Sequence, residues 1–231
     1  YGRQNWFENA AAEHRATRAA VGLFDQSSFG KFEVTGPNAL ALLERLSANR
    51  IDVAPGRVVY TQWLNRRGGI EADLTVARTD AEAFLVVTGA GVRRRDLARL
   101  RRVAESFEGV EIRDVSRERA VIGVMGPKAR DLLQPLVDID LSPTAFRFAR
   151  STAANAAGVA ARLTRITYVG ELGYELYVPA DQAASVWETL EAAGADLGLK
   201  PVGLGALHSL RLEKGYRDYG VDIDNTDTPV S

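Results

Sequence analysis

One pattern occurs twice in this chain and limits the folds open to it. Phe32 to Leu43 and Ile122 to Leu133 each carry an apolar strand-like run, a Gly-Pro pair (Gly36-Pro37 and Gly126-Pro127) and then leucines at helical spacing. Glycine eases a sharp strand-to-helix turn, and proline suits the first turn of a helix, where its missing N–H has no partner anyway. Two copies of strand, turn and helix predict a duplicated unit.

Between the copies lie strand candidates Val58 to Trp63, Leu74 to Ala77 and Ala83 to Thr88, followed by an arginine-rich helical run. After the second copy come strand candidates Val159 to Thr167 and Tyr174 to Val178. A helix over Asp181 to Ala193 follows, with Asp181 as its expected cap, and another helix is predicted over Asn9 to Val21. Many strands with few helices argue against a doubly wound parallel sheet. The expected class is α+β, with duplicated strand-helix-strand units and mostly antiparallel sheets. One domain over 1–231 is expected, its halves at about 24–115 and 116–200 plus a C-terminal segment.

At 231 residues the chain can bury a sizeable core, and 46% hydrophobic with 26% charged residues is the composition of a folded globular protein. There is no Cys, which removes disulfides, thiolate nucleophiles and Cys-based zinc sites. His14 and His208 are the whole imidazole inventory, so a His-rich metal centre is excluded and no metal is expected. A net charge of −1 gives no general attraction to nucleic acid. No apolar run is long enough to span a bilayer as a helix, and the N-terminus lacks a signal-peptide h-region and an initiator Met. The expectation is a cytoplasmic piece of a longer protein, without nucleic-acid or membrane partners.

The most polar conspicuous stretch is Tyr168 to Tyr177, with Glu171, Glu175 and three tyrosines set around Gly170 and Gly173. If Tyr174 to Val178 is a strand, Glu175 and Tyr177 share one face, while Tyr174, Leu176 and Val178 share the other. A carboxylate on a rigid strand can accept two parallel N–H bonds from a planar amino-heterocycle. The competing reading is a hairpin carrying a surface glutamate. A second candidate is Gly68 to Val76, where a glycine turn enters a strand with Glu71 and Asp73 on one face and Leu74 and Val76 on the other. Asp73 lies where the strand turns apolar, so it is the acid expected to be partly buried and able to take a proton or face a cation. The competing reading is a solvated acid pair.

Arg93 to Val103 places Leu97, Leu100 and Val103 at helical spacing, so its arginines are expected on a wet face. A docking surface for an anionic group is the alternative. His14, beside Glu13 and Arg15, is expected on a solvated helix face. Gly203-Leu204-Gly205 lacks the third glycine and the preceding strand of a dinucleotide-binding turn.

Several of these pieces occur together in one order: Phe24 to Phe32, both Gly-Pro repeats, Gly68 to Leu74, Tyr168 to Glu175, Gly203 to Ala206, and Gly220 to Val230. From Phe24 to Val230 the chain resembles the folate-binding aminomethyltransferase family, the T-protein of the glycine cleavage system and its relatives. Tyr60-Thr61, Leu64 to Gly69, Val169 to Leu176, and Ser209 to Arg217 look closer to the C-terminal folate half of sarcosine and dimethylglycine dehydrogenases. Trp6-Phe7 also resembles the segment that enters the folate domain of those enzymes. Where T-proteins carry a Gly-Ala-Arg-Asp run, this chain has Gly205-Ala206-Leu207-His208, which lacks the matching arginine and favours the dehydrogenase-type branch, and His208 is expected either in packing or behind the residues that touch the ligand.

The resemblance implies the aminomethyltransferase folate-binding fold, with the family's following small β-barrel domain outside this chain. It implies tetrahydrofolate as cofactor, with Asp73 near the reacting folate nitrogen, Glu175 on the pterin ring, and Tyr60 and Tyr168 lining the site. It further implies one-carbon transfer from a methylated amine such as sarcosine or dimethylglycine, giving 5,10-methylenetetrahydrofolate. The implied partners are folate, a small amine and a flavoprotein domain or subunit, with FAD only on that missing domain or partner. Two alternatives are a folate-dependent demethylase of another methyl donor and a non-catalytic folate-binding module. Family members of the last kind resemble a Lys-Gly-Cys-Tyr motif, against which Lys214-Gly215-Tyr216 lacks the cysteine.

Overall fold

Both Gly-Pro pairs form the turns that the sequence anticipates, with each proline two residues ahead of the first helical position. In the computed structural model, which describes residues 2–230, Ala39 donates to the carbonyl of Gly36 at 3.0 Å and Ala129 to that of Gly126 at 3.0 Å. Each pair therefore opens a β-turn with proline at its second position, where a fixed φ is an advantage. The helices begin at Ala39 and Ala129, behind Asn38 and Lys128, so the prolines lie ahead of the helix and not in its first turn. Gly36 has φ +115° and Gly126 φ +143°, and a Cβ on Gly36 would meet the Gly109 carbonyl oxygen at 1.9 Å. Only glycine fits there.

In chain order the elements are α1 (Phe7–Ala19), β1 (Val21–Asp25), β2 (Gly30–Thr35), α2 (Ala39–Leu46), β3 (Val58–Leu64), β4 (Ile70–Asp80), β5 (Ala83–Thr88) and α3 (Arg93–Ala104). They continue with β6 (Glu111–Asp114), β7 (Arg119–Met125), α4 (Ala129–Leu133), β8 (Ser151–Ala156), β9 (Val159–Thr164), β10 (Gly173–Pro179), α5 (Ala183–Gly194), β11 (Leu199–Pro201) and α6 (Leu204–Glu213). Asp181 does not cap α5. It sits in a short 3-10 turn, and Gln182 at the helix start makes no side-chain cap. Among the described residues no helix is long and apolar enough to cross a membrane.

The chain divides into two compact units, and each carries one copy of the repeat. The first holds the described residues up to Ser27 together with Ala120–Tyr216. Its six-stranded sheet runs β11-β1-β7-β10-β9-β8, with β1 parallel to β11 and antiparallel to β7, and β9 antiparallel to both β10 and β8. The second holds Ser28–Arg119 and the segment from Arg217 on. Its five strands run β3-β4-β5-β2-β6, antiparallel throughout. This is the α+β, mostly antiparallel architecture expected.

The repeat extends to the packing. On α2, Ala39, Leu42, Leu43 and Leu46 are buried, and on α4 the equivalent Ala129, Leu132 and Leu133 are buried. The α2 leucines join Phe32, Trp63, Val76 and Phe84 in the core of the second unit, and the α4 leucines join Val21, Val124, Leu163 and Leu176 in the core of the first. Each buried leucine contributes about 1.5–3 kcal/mol.

Candidate functional site

The first unit presents Glu175 from the middle of its sheet. The alternation along β10 holds, since Glu175 and Tyr177 point together while Tyr174 stacks on Phe146 in the core, with ring centroids 6.3 Å apart and planes 7° from parallel. The stretch is nevertheless more buried than its polarity suggests. From Gly173 to Val178 every residue is buried, because β10 is an interior strand with neighbours on both sides. The surface-hairpin reading of Glu175 therefore fails.

The Glu175 carboxyl is 9% exposed, and its Oε2 accepts the Tyr177 hydroxyl at 2.5 Å. Among the described residues its other oxygen takes no hydrogen bond. Register carries the polar strip across the sheet. Glu175 is paired with Thr164, whose hydroxyl lies 3.0 Å from Ser151 Oγ on β8, and Tyr177 is paired with Arg162. Burial raises the Glu175 carboxyl from the usual 4.5 to about 6, against the opposing pull of the Tyr177 hydrogen bond. Burial and the adjacent carboxylate hold the Tyr177 hydroxyl well above its ordinary range, so the phenol stays a donor.

A stability prediction follows from Glu175. Its folded carboxyl titrates above the unfolded one, so the folded chain carries the extra proton between about 4.5 and about 6. The stabilisation is complete below the unfolded value and is lost as pH rises through the folded one, a change of about 2 kcal/mol. Glu175→Gln has no such titration. Urea denaturation of the unliganded chain should show the parent losing about 2 kcal/mol more than Glu175→Gln between about pH 4.5 and about pH 7.5. Parallel pH profiles of the two proteins would contradict burial as the cause.

Tyr168 lies in the loop before β10, stacked on Tyr216 with centroids 5.9 Å apart and planes at 18°. Arg18 of α1 braces this loop. It donates to the Val169 carbonyl, to Glu171 at 3.0 Å, to the Leu210 carbonyl at 2.9 Å and to Glu213 at 2.9 Å. His14 sits 3.2 Å from Glu213 with its side chain 18% exposed. The helix face expected to be solvated is thus packed against α6, which the sequence of α1 alone does not reveal. His208 lies on the exposed side of α6 and not in the packing, since Ala206 and Leu210 turn inward instead.

The second unit brings Tyr60 and Asp73 together. On β4, Ile70, Ala72, Leu74 and Val76 are buried while Glu71, Asp73 and Thr75 alternate with them on the half-buried face. The β3–β4 register sets Gln62 opposite Asp73, and Gln62 Nε2 donates to Asp73 Oδ1 at 2.9 Å. Burial raises the Asp73 carboxyl above its ordinary value, and the Asp218 charge adds to this; hydrogen bonds from Tyr60 and Gln62 oppose it. Glu71 is held by Asn65 at 3.3 Å and lies 3.8 Å from Arg99, so it is an ion-pair partner and not a second solvated acid.

Sequence reasoning missed Gln62, Tyr216 and Asp218. Gln62 is recoverable in principle from the hairpin register around Asn65 and Gly69, where Asn65 accepts from Gly69 N at 3.0 Å. No local signal marks the other two. The arginine helix also departs from a simple wet face. Leu97, Leu100 and Val103 face the core as expected, but Arg93 reaches Asp114 at 2.6 Å, Arg99 the Leu64 carbonyl, and Arg95 several partners described below. Asp96, in the midst of the run, is 0% exposed and accepts the Thr88 hydroxyl at 2.6 Å.

Known proteins share this sequence and fold. The chain is 46% identical over 231 residues to the 4-methylaminobutanoate oxidase (formaldehyde-forming) of Paenarthrobacter nicotinovorans, covering 100% of this chain and 28% of that protein. It is 38% identical to the mitochondrial dimethylglycine dehydrogenase of Mus musculus, covering 99% and 26% respectively. The chain thus spans less than a third of the length of these two relatives. Among solved structures, the glycine cleavage system aminomethyltransferase T from Bartonella henselae matches with a TM-score of 0.84 and 31% identity, over 96% of this chain and 58% of that one. The profile of the GCVT N-terminal domain matches residues 1–231. The chain belongs to the GCVT N-terminal domain family.

Proposed function

We propose that this chain is the folate-binding part of a tetrahydrofolate-dependent one-carbon transferase that works within a larger flavin-dependent system. In this reading the carbon comes from a methylated amine such as sarcosine or dimethylglycine, and the product is 5,10-methylenetetrahydrofolate. The observation that carries the reading is Glu175, a buried carboxylate fixed on a central strand with one oxygen engaged by Tyr177 and the other without a hydrogen bond among the described residues. A buried anion is costly unless a partner satisfies it, and a flat ring with adjacent N–H donors is such a partner. Tetrahydrofolate, when bound, supplies the nitrogen that takes up the one-carbon unit.

The residues divide the work by chemistry. Glu175 holds the heterocycle, and Tyr177 fixes the carboxylate by donating to Oε2. The stacked pair of Tyr168 and Tyr216 supplies an aromatic surface. Asp73, raised in basicity by burial and oriented by Gln62, takes the proton released at the nitrogen or faces the positive charge on the donor carbon. Holding donor and acceptor together supplies much of the remaining acceleration. The names of the two relatives, an oxidase of a methylamino acid and a dimethylglycine dehydrogenase, support a methylated amine as donor.

The test uses the full-length protein with dimethylglycine or 4-methylaminobutanoate, with and without tetrahydrofolate. The expected result is 5,10-methylenetetrahydrofolate in proportion to amine oxidised, with free formaldehyde suppressed. Formaldehyde release at the same level with and without tetrahydrofolate would overturn the proposal.

A further inference from the structure

Arg95 stands in the run of arginines that the sequence suggests to be a wet helix face, yet its guanidinium joins three parts of the second unit. It donates to the carbonyl of Glu71 on β4. It also donates to the Tyr219 hydroxyl at 3.1 Å while lying 4.8 Å from the centre of that ring. Its Nε and Nη2 each reach Asp96 Oδ1 at 3.1 Å. Asp96 is fully buried and locked by Thr88, so the planar fork of Arg95 is fixed from behind.

The two outer partners matter through their neighbours. Glu71 is two residues before Asp73 and on the same face of β4, and Tyr219 directly follows Asp218. The segment around Asp218 is itself tightly turned. Val221 and Asp222 donate to the Asp218 carbonyl at 3.1 and 2.9 Å, Asp222 Oδ2 accepts from Asp218 N at 2.9 Å, and Gly220 donates to Ile223 at 2.8 Å. Further on, the Asp227 carbonyl accepts from Ile70 N at 2.9 Å, and the Asn225 carbonyl oxygen lies 2.3 Å from where a Cβ on Gly69 would be. The segment is thus fastened along the first residues of β4.

We propose that Arg95 is a positioning residue that holds Asp218 beside Asp73, so that two carboxylates meet at the half-buried face of β4. The role given to that face rests on the function proposed above. The groups facing Asp73 are Tyr60 and Gln62 from β3 and Asp218 from the C-terminal segment, while Glu71, on its own strand, is matched by Arg99. Burial is the main cause that raises the Asp73 carboxyl, and of these neighbours Asp218 is the one whose charge adds to it. A like charge disfavours ionisation, and a more basic carboxylate is a better proton acceptor.

The experiment is a carbon-13 carboxyl NMR titration of Asp73 in this chain, comparing the parent with Asp218→Asn, Arg95→Lys and the double variant. Arg95→Lys keeps the positive charge and removes the fork, so it reports position alone. The expected result is that the Asp73 midpoint falls in each single variant, with no further fall in the double. An unchanged midpoint in Asp218→Asn, or a fall in the double equal to the sum of the singles, would overturn the proposal. In the full-length protein the acid limb of the transfer rate should move with the midpoint. A moved midpoint with an unmoved rate profile would overturn the catalytic role of the pair. Failure of the chain to bind tetrahydrofolate at all would leave the titration result standing and would strike the function instead.

Discussion

Asp73→Asn is expected to lower turnover of the full-length protein by about a hundredfold to ten-thousandfold, the range for loss of a positioned general base, while changing tetrahydrofolate affinity by less than about threefold. Asparagine keeps the shape and can still meet Gln62, whose Nε2 donates to Asp73 Oδ1 at 2.9 Å. It removes the charge and the proton acceptor together. Burial raises this carboxyl, while hydrogen bonds from Tyr60 and Gln62 oppose the rise and fix its direction. Single-turnover rates with saturating amine separate this effect from binding. Loss of affinity to the same degree as turnover would assign Asp73 to holding the ligand.

Glu175→Ala is expected to weaken tetrahydrofolate binding by about a hundredfold or more. A hydrogen bond to a charged group contributes about 1.5–3 kcal/mol, and two parallel ones to one carboxylate add up to at least a hundredfold at about 1.4 kcal/mol per tenfold. Glu175→Gln should fail similarly, because its NH2 group presents a donor where the ring needs an acceptor. The Tyr177 hydroxyl, 2.5 Å from Oε2 in the parent, can still donate to the glutamine oxygen, so that control keeps the local packing. Binding should also depend on pH. The carboxyl titrates at about 6, and it accepts two donors only when ionised, so affinity rises as pH rises through that value.

Much of the fold is legible because it rests on local rules. The Gly-Pro turns are forced by positive φ at Gly36 and Gly126, and the apolar faces of α2 and α4 follow the helical period of their leucines. The alternation that separates Asp73 from Leu74 is visible in the residues of β4 alone. What escapes local reading is set by neighbours far along the chain. Ser151–Ala156 is poor in strand-forming residues and becomes β8 because β9 pairs with it throughout. The burial of Glu175 depends on β10 lying between β7 and β9, which its own sequence does not state. Gln62 meets Asp73 only through the hairpin register. His14 and Arg95 read as solvated from their helices and are engaged by Glu213 in one case and by Tyr219 and Asp96 in the other.

Calorimetric titration of the full-length protein and its Glu175→Ala variant with tetrahydrofolate tests the central claim most directly. Saturable binding in the parent that the substitution abolishes, with the parent's affinity rising through about pH 6, is the expected result. Equal affinity in the two proteins would contradict the assignment of Glu175 to the folate ring.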